Sequence, residues 1–98
     1  MSLPVVYLPE ARDDIDNAYA GYERQRAGLG DRFLEALRTQ VDAARANPLL
    51  YGLIHQDIRA APLRRFPYVL YYRAGAAQIV VIAVQHGRRS PEAWLGRT

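Results

Sequence analysis

The chain has 98 residues, 50% of them hydrophobic and 23% charged, which suits one compact domain spanning residues 1–98 and leaves too little length for two. It has no cysteine, which excludes disulfides, thiolate nucleophiles, zinc knuckles and iron–sulfur sites together, and its two histidines, His55 and His86, are too few and too far apart for a metal site. The formal charge of +3 is unevenly spread: residues 1–57 hold six arginines and nine acids, whereas residues 58–98 hold seven arginines and only Glu92, so the two parts carry −3 and +6.

Val5-Val6-Tyr7-Leu8 opens the chain as a short β-prone run. Pro9 then presets φ for a first helical turn, with Glu10 placed where the positive end of the helix dipole favours a carboxylate. Over residues 9–26, Ala11, Ile15, Ala18, Tyr19 and Tyr22 fall on one face of a 3.6-residue period, with Asp13, Asp14, Asp16 and Asn17 on the other. Ala27-Gly28-Leu29-Gly30 interrupts this pattern. Asp31 is the expected N-cap of a second helix over residues 31–47, whose apolar stripe is Phe33, Leu34, Leu37, Val41 and Ala44. Asn47-Pro48 ends it, because proline pushes the preceding residue out of the α region. So short a link between two amphipathic helices predicts an antiparallel hairpin.

Residues 49–57, with Gly52 and mixed polarity, read as a loop that becomes strand only near Asp57. Three β-type runs follow, at residues 58–65, 68–73 and 78–86, and the short links between them predict an antiparallel meander. Alternation puts Tyr68 and Tyr72 on one face and Tyr71 on the other. Residues 79–84 are apolar at consecutive positions, which predicts an inner strand covered on both faces. Six such residues fall far short of the ~20 needed to span a bilayer, so no membrane association is expected. No secretory leader pattern opens the chain, and a cytoplasmic location is expected. Ser90-Pro91-Glu92 reads as N-cap, N1 and N2 of a short final helix carrying Trp94 and Leu95. The fold class is therefore α+β: an antiparallel sheet covered by an N-terminal helix hairpin, in the order β, α, α, β, β, β, with a short C-terminal helix.

Within that order, Pro9-Glu10-Ala11 with Asp14-Ile15 opens the first helix, Phe33 and Leu37 line the second, and Asn47-Pro48 closes it. Arg65-Phe66-Pro67-Tyr68-Val69-Leu70-Tyr71-Tyr72 leads into the meander, and Val84-Gln85-His86-Gly87-Arg88-Arg89-Ser90-Pro91 leaves it. Together and in this order these pieces resemble the ParE/RelE superfamily of bacterial type II toxin–antitoxin toxins, over nearly the whole chain and closer to the ParE branch. The resemblance implies a plasmid-stabilisation type of toxin neutralised by a small acidic antitoxin encoded nearby, with no cofactor, and an N-terminal strand that joins the meander at one side. It also implies two competing targets. A ParE-like protein binds DNA gyrase and poisons it without chemistry of its own, whereas a RelE-like protein is a ribosome-dependent mRNA endonuclease. A non-toxic binding module of the same fold is a third reading.

The basic C-terminal part suits an anionic partner: nucleic acid, ribosome or an acidic protein segment. All 13 basic residues are arginine, a chain-wide usage best read as codon bias, although each guanidinium can still grip phosphate or carboxylate with two bonds. His86, Arg88 and Arg89 follow the inner strand and form the catalytic candidates of a nuclease: an imidazole to shuttle protons and two guanidiniums to stabilise a pentavalent phosphate. The alternative has Arg88 or Arg89 paired with an acid of the helix hairpin and His86 capping the strand end. RelE-type ribonucleases join a basic cluster to a Tyr, His or Glu for proton transfer. This chain departs from them, with no lysine and with Trp94 and Leu95 in place of a terminal Tyr or His, which favours a gyrase-binding surface of Arg65, Arg73, Arg88, Arg89, Trp94 and Arg97. Tyr68, Tyr71 and Tyr72 could stack on bases while Arg64, Arg65 and Arg73 hold phosphates, or could serve packing, as Tyr19 and Tyr22 are expected to do. Trp94 either staples the final helix to the sheet or faces a partner.

Overall fold

Residues 2–97 are described in a computed structural model of the protein. Strand β1 (Val5–Tyr7) passes directly into α1 (Pro9–Gln25) and α2 (Leu29–Ala46), followed by β2 (Leu53–His55), β3 (Ile58–Pro62), β4 (Tyr68–Ala74) and β5 (Ile79–His86). The expected short final helix is present as two consecutive 3-10 turns, Pro91–Ala93 and Leu95–Arg97. The five strands lie in the order β1-β5-β4-β3-β2. β3, β4 and β5 form the predicted antiparallel meander, while β1 pairs parallel to β5 through Val5–Ile79, Val6–Val80 and Tyr7–Val81. A parallel neighbour needs a crossover connection, and the helix hairpin is part of it.

The hairpin is held by contacts between its two helices. α2 begins at Leu29 rather than at Asp31, with Gly28 at its N-cap in the left-handed region at φ 89° and no side-chain cap on that residue. Glu23 of α1 supplies the cap instead, its Oε1 accepting the Gly28 and Gly30 N–H groups at 2.9 and 2.8 Å. Asp31 lies in the first helical turn and accepts the Tyr19 hydroxyl at 3.1 Å. A Cβ at Gly30 would lie 2.7–2.8 Å from the Glu23 side chain and the Tyr19 ring. The crossing of the helices therefore requires glycine at that position.

Two further expectations are corrected. Residues 53–55 form an edge strand rather than loop, pairing with β3 through a shifted register between Leu53 and His55; all three are exposed, so no buried alternation marked them. β3 stops at Pro62 instead of continuing to residue 65, because the chain there turns back toward β4. Leu63 N–H then closes onto Tyr68 O at 2.9 Å, and the chain turns through Arg65 at φ 67°.

The sheet is covered on both faces, and a bulge sorts its residues between them. Tyr71 pairs with Ala83 but Tyr72 with Val81, so Ile82 is the extra residue on β5. Before the bulge Ile79 and Val81 face the helices, and after it Val84 does. They pack with Leu70 and Tyr72 against Ala11, Ala18, Phe33, Leu37, Val41 and Ala44. Ile82 and Ala83 both face the opposite side, with Ile58, Tyr71 and Trp94. The consecutive apolar run thus feeds two cores. Trp94 is 1% exposed and lies against Tyr71 with ring centroids 4.2 Å apart, so it staples the final turns to the sheet. Tyr72 is fully buried, its hydroxyl donating to Pro48 O at 2.7 Å.

Candidate functional site

One end of the sheet collects the exposed arginines. Tyr68 and His86 are register partners where β4 begins and β5 ends, so the β3–β4 turn and the β5 exit lie side by side. Gly87 N–H donates to Pro67 O at 2.8 Å and Arg89 N–H to His86 O at 2.9 Å. The result is two adjacent tight turns, each carrying an arginine pair: Arg64-Arg65 and Arg88-Arg89. All four residues are exposed, and among the described residues none of the four guanidinium groups has an ion-pair partner. Beneath them Tyr22, Phe33, Phe66 and Tyr68 interlock at centroid distances of 5.0–5.9 Å, mostly edge to face. That cluster fixes the β3–β4 turn to the helix hairpin, and burial pushes the Tyr22 hydroxyl pKa upward.

Between α2 and the β3–β4 turn runs an open groove of about 700 Å³, lined by apolar Leu29, Ala36 and Phe66 and by Arg32, Arg64 and Arg65 against a single acid, Glu35. Arg32 belongs to the acidic first part of the sequence, and only the hairpin brings it to the arginine end. An apolar patch lies along the β2 edge, where Leu49, Leu50, Leu53 and Ile54 are 68, 58, 56 and 46% exposed.

His86 is half-buried, with its ring edge-on to Tyr68 at 5.7 Å. Its assigned Nδ1 accepts the Arg88 N–H at 3.1 Å, the strand-end capping role foreseen as one alternative. A neutral imidazole accepting at Nδ1 carries its proton on Nε2. In that arrangement the Nδ1 lone pair is engaged by the backbone of the turn. A small cleft beside it is lined by Asp14, Asn17, Tyr68 and Arg89. Asp14, its carboxylate, is already engaged: Arg97 grips it with two bonds of 2.6 and 3.0 Å, and Val84 N–H donates to it at 3.0 Å.

That engagement completes the sheet. β1 ends at Tyr7, and after Leu8 N–H bonds Val81 O the outer edge of β5 has no strand beside it among the described residues. Asp14 takes the Val84 N–H and Arg97 donates to Ile82 O at 3.1 Å. The two side chains occupy the place of a missing strand. They are only 9% and 16% exposed, and the Asp14 hydrogen bond pushes the Arg97 pKa further upward despite burial.

The expected target-binding set thus divides. Arg65, Arg88 and Arg89 come together at one end. Arg73 sits at the other end of β4, paired with Asp57 at 2.7 Å, a bond that holds the Asp57 carboxyl below its ordinary pKa. Trp94 is core and Arg97 is a sheet-edge clamp, so neither presents a free face. The proposed pairing of Arg88 or Arg89 with a hairpin acid is absent among the described residues. Tyr71 and Tyr72 are packing residues. Arg32 and Phe66 join the groove without any local signal in the sequence, since their neighbours come from another element. Among the described residues no helix is long and apolar enough to cross a membrane.

Residues 5–91 match the family described as the ParE toxin of the type II toxin–antitoxin system, parDE. The fold is similar to a solved structure, "Chromosomal ParDE TA system from P. aeruginosa", with a TM-score of 0.75 and 17% identity over 87% of this chain and 96% of that chain. At that identity the likeness speaks for the fold. No curated protein matches the chain.

Proposed function

Because the chain belongs to the ParE toxin family of type II toxin–antitoxin systems, we propose that it is a single-domain toxin that inhibits DNA gyrase in the cytoplasm and is neutralised by a small acidic antitoxin encoded beside it. Cleavage at a ribose 2′-hydroxyl needs a base, an acid and charge stabilisation. The observation that supports binding over cleavage is the state of His86 and Asp14: the imidazole spends Nδ1 on a backbone N–H, and the nearby carboxylate is spent on Arg97 and Val84. Charge stabilisation is present in excess, but among the described residues His86 and Asp14 do not form an acid–base pair beside it. A binding inhibitor needs only a shaped surface, which Arg65, Arg88 and Arg89 supply.

The groove and the β2 edge support the antitoxin partner. An acidic amphipathic segment would set apolar residues on Leu29, Ala36 and Phe66 and carboxylates on Arg32, Arg64 and Arg65, while the exposed β2 edge suits strand addition. The test is expression of the chain alone and with the small neighbouring reading frame, followed by purified gyrase on plasmid DNA. Growth arrest relieved by the neighbour, with gyrase-dependent double-strand breaks, supports the reading. Cleaved mRNA on ribosomes with supercoiling unaffected overturns the target, and harmless expression alone overturns the toxin reading.

A further inference from the structure

We propose that the arginine end of the sheet is a contact for the backbone of duplex DNA, gripped by Arg64, Arg65, Arg88 and Arg89. Only the place of this contact within a gyrase–DNA complex rests on the gyrase reading; the contact itself is a property of this chain. Residues 58–91 contain no aspartate or glutamate, so neither turn has an acid of its own. Four acids elsewhere have other tasks: Asp14 holds Arg97, Asp42 meets Arg45, Asp57 holds Arg73, and Glu23 caps α2; Glu35, which shares the α2 groove with Arg64 and Arg65, pairs with neither among the described residues. Four uncompensated guanidinium groups on two adjoining turns therefore form a fixed positive field, and the planar fork of arginine matches phosphate oxygens.

The placement favours a continuous polyanion over a peptide. Arg64 and Arg65 line the α2 groove, but Arg88 and Arg89 do not, so a segment seated in the groove would leave the second pair unused. β4 and β5 are neighbours, ~4.8 Å apart, and the Gly87–Pro67 backbone bond holds the two turns side by side, so both pairs face one stretch of a charged backbone. The turns are also preorganised by the Leu63–Tyr68 and Gly87–Pro67 backbone bonds. Duplex is favoured over single strands because the aromatic rings at this end are already packed on one another: Tyr68 lies edge to face with Phe33 and His86, and Phe66 with Tyr22. With these rings already engaged in one another, the contact reads backbone and not sequence.

The test is fluorescence anisotropy of a short labelled duplex with the purified full-length chain, without gyrase, over a salt series. Binding should weaken linearly in log Kd against log salt with a slope magnitude of about 3–4, for some four phosphates. The double variant Arg88→Glu/Arg89→Glu should weaken binding about tenfold or more and lower the slope by about 2. Arg12→Glu/Arg38→Glu removes the same charge around Tyr7, away from the arginine end, and should weaken binding less than about threefold. Trp94 emission confirms that each variant is folded. The proposal is overturned if the duplex does not bind at low salt, if both double variants weaken binding equally, or if single-stranded RNA binds more tightly than duplex. It is also overturned if Arg88→Glu/Arg89→Glu abolishes antitoxin binding while duplex binding is unchanged. Duplex binding without gyrase-dependent breaks supports this contact and removes the gyrase reading alone.

Discussion

Asp14→Ala tests how the sheet edge is completed. The substitution removes two bonds from Arg97 and the acceptor for Val84 N–H. What remains is a largely buried guanidinium whose other partner is Ile82 O and a backbone donor with nothing opposite. Breaking a buried pair from one side costs about 3–5 kcal/mol. The lower end applies here, because the pair is only partly shielded, with Arg97 16% exposed. About 3 kcal/mol in a domain this size lowers Tm by about 12–24 °C. Arg97 also anchors the final turns, so its release should loosen Trp94 from Tyr71. The protein has one tryptophan, which makes its emission a local reporter. Urea and thermal melts should show the full loss, and native-state emission should shift to the red before the main transition. The cycle with Arg97→Ala should give strong coupling between the two sites. A loss under about 1 kcal/mol, the value of an exposed ion pair, with unchanged emission would refute the reasoning.

Gly30→Ala should destabilise by about 1–3 kcal/mol, because the methyl group overpacks the helix crossing; a neutral or stabilising result in a urea melt would show that Tyr19 and Glu23 give way freely. Acid should weaken the Asp57–Arg73 tie: the Asp57 pKa is depressed in the folded state, so its contribution is present above the unfolded value near 3.9 and fades as pH falls through the lower folded one. Asp57→Asn should flatten that acid limb slightly, as befits an exposed pair, and an unchanged limb would contradict the assignment. Burial raises the pKa of Tyr71 and Tyr72, so stability should hold below pH ~10 and fall above it as the unfolded chain ionises first. Alkaline titration should show tyrosinate absorbance appearing in two stages, the second coinciding with unfolding.

Much of the architecture was legible because it rests on local rules. Pro9, Asn47-Pro48 and the 3.6-residue stripes marked the hairpin, and alternation put Tyr71 opposite Tyr68 and Tyr72, as the two cores bear out. The failures were non-local. Asp31 looked like a cap, but the cap came from Glu23 on the preceding helix. β2 is exposed along its length, so it left no burial pattern. At the site, the basic turn after β5 was visible as a string of letters. Arg97 could be recognised as a clamp only once the fold put it beside Asp14, 83 positions away, and Arg73 as spoken for only once β4 faced Asp57.

The most direct test of the central claim is plasmid DNA incubated with purified gyrase, ATP and the toxin, resolved after protein digestion. Wild-type protein should accumulate linear DNA, His86→Ala should do so nearly as well, and Arg88→Glu/Arg89→Glu should not. Intact supercoiled DNA with wild-type toxin, alongside mRNA cleavage on ribosomes that falls about 10²–10⁴-fold with His86→Ala, would contradict the account.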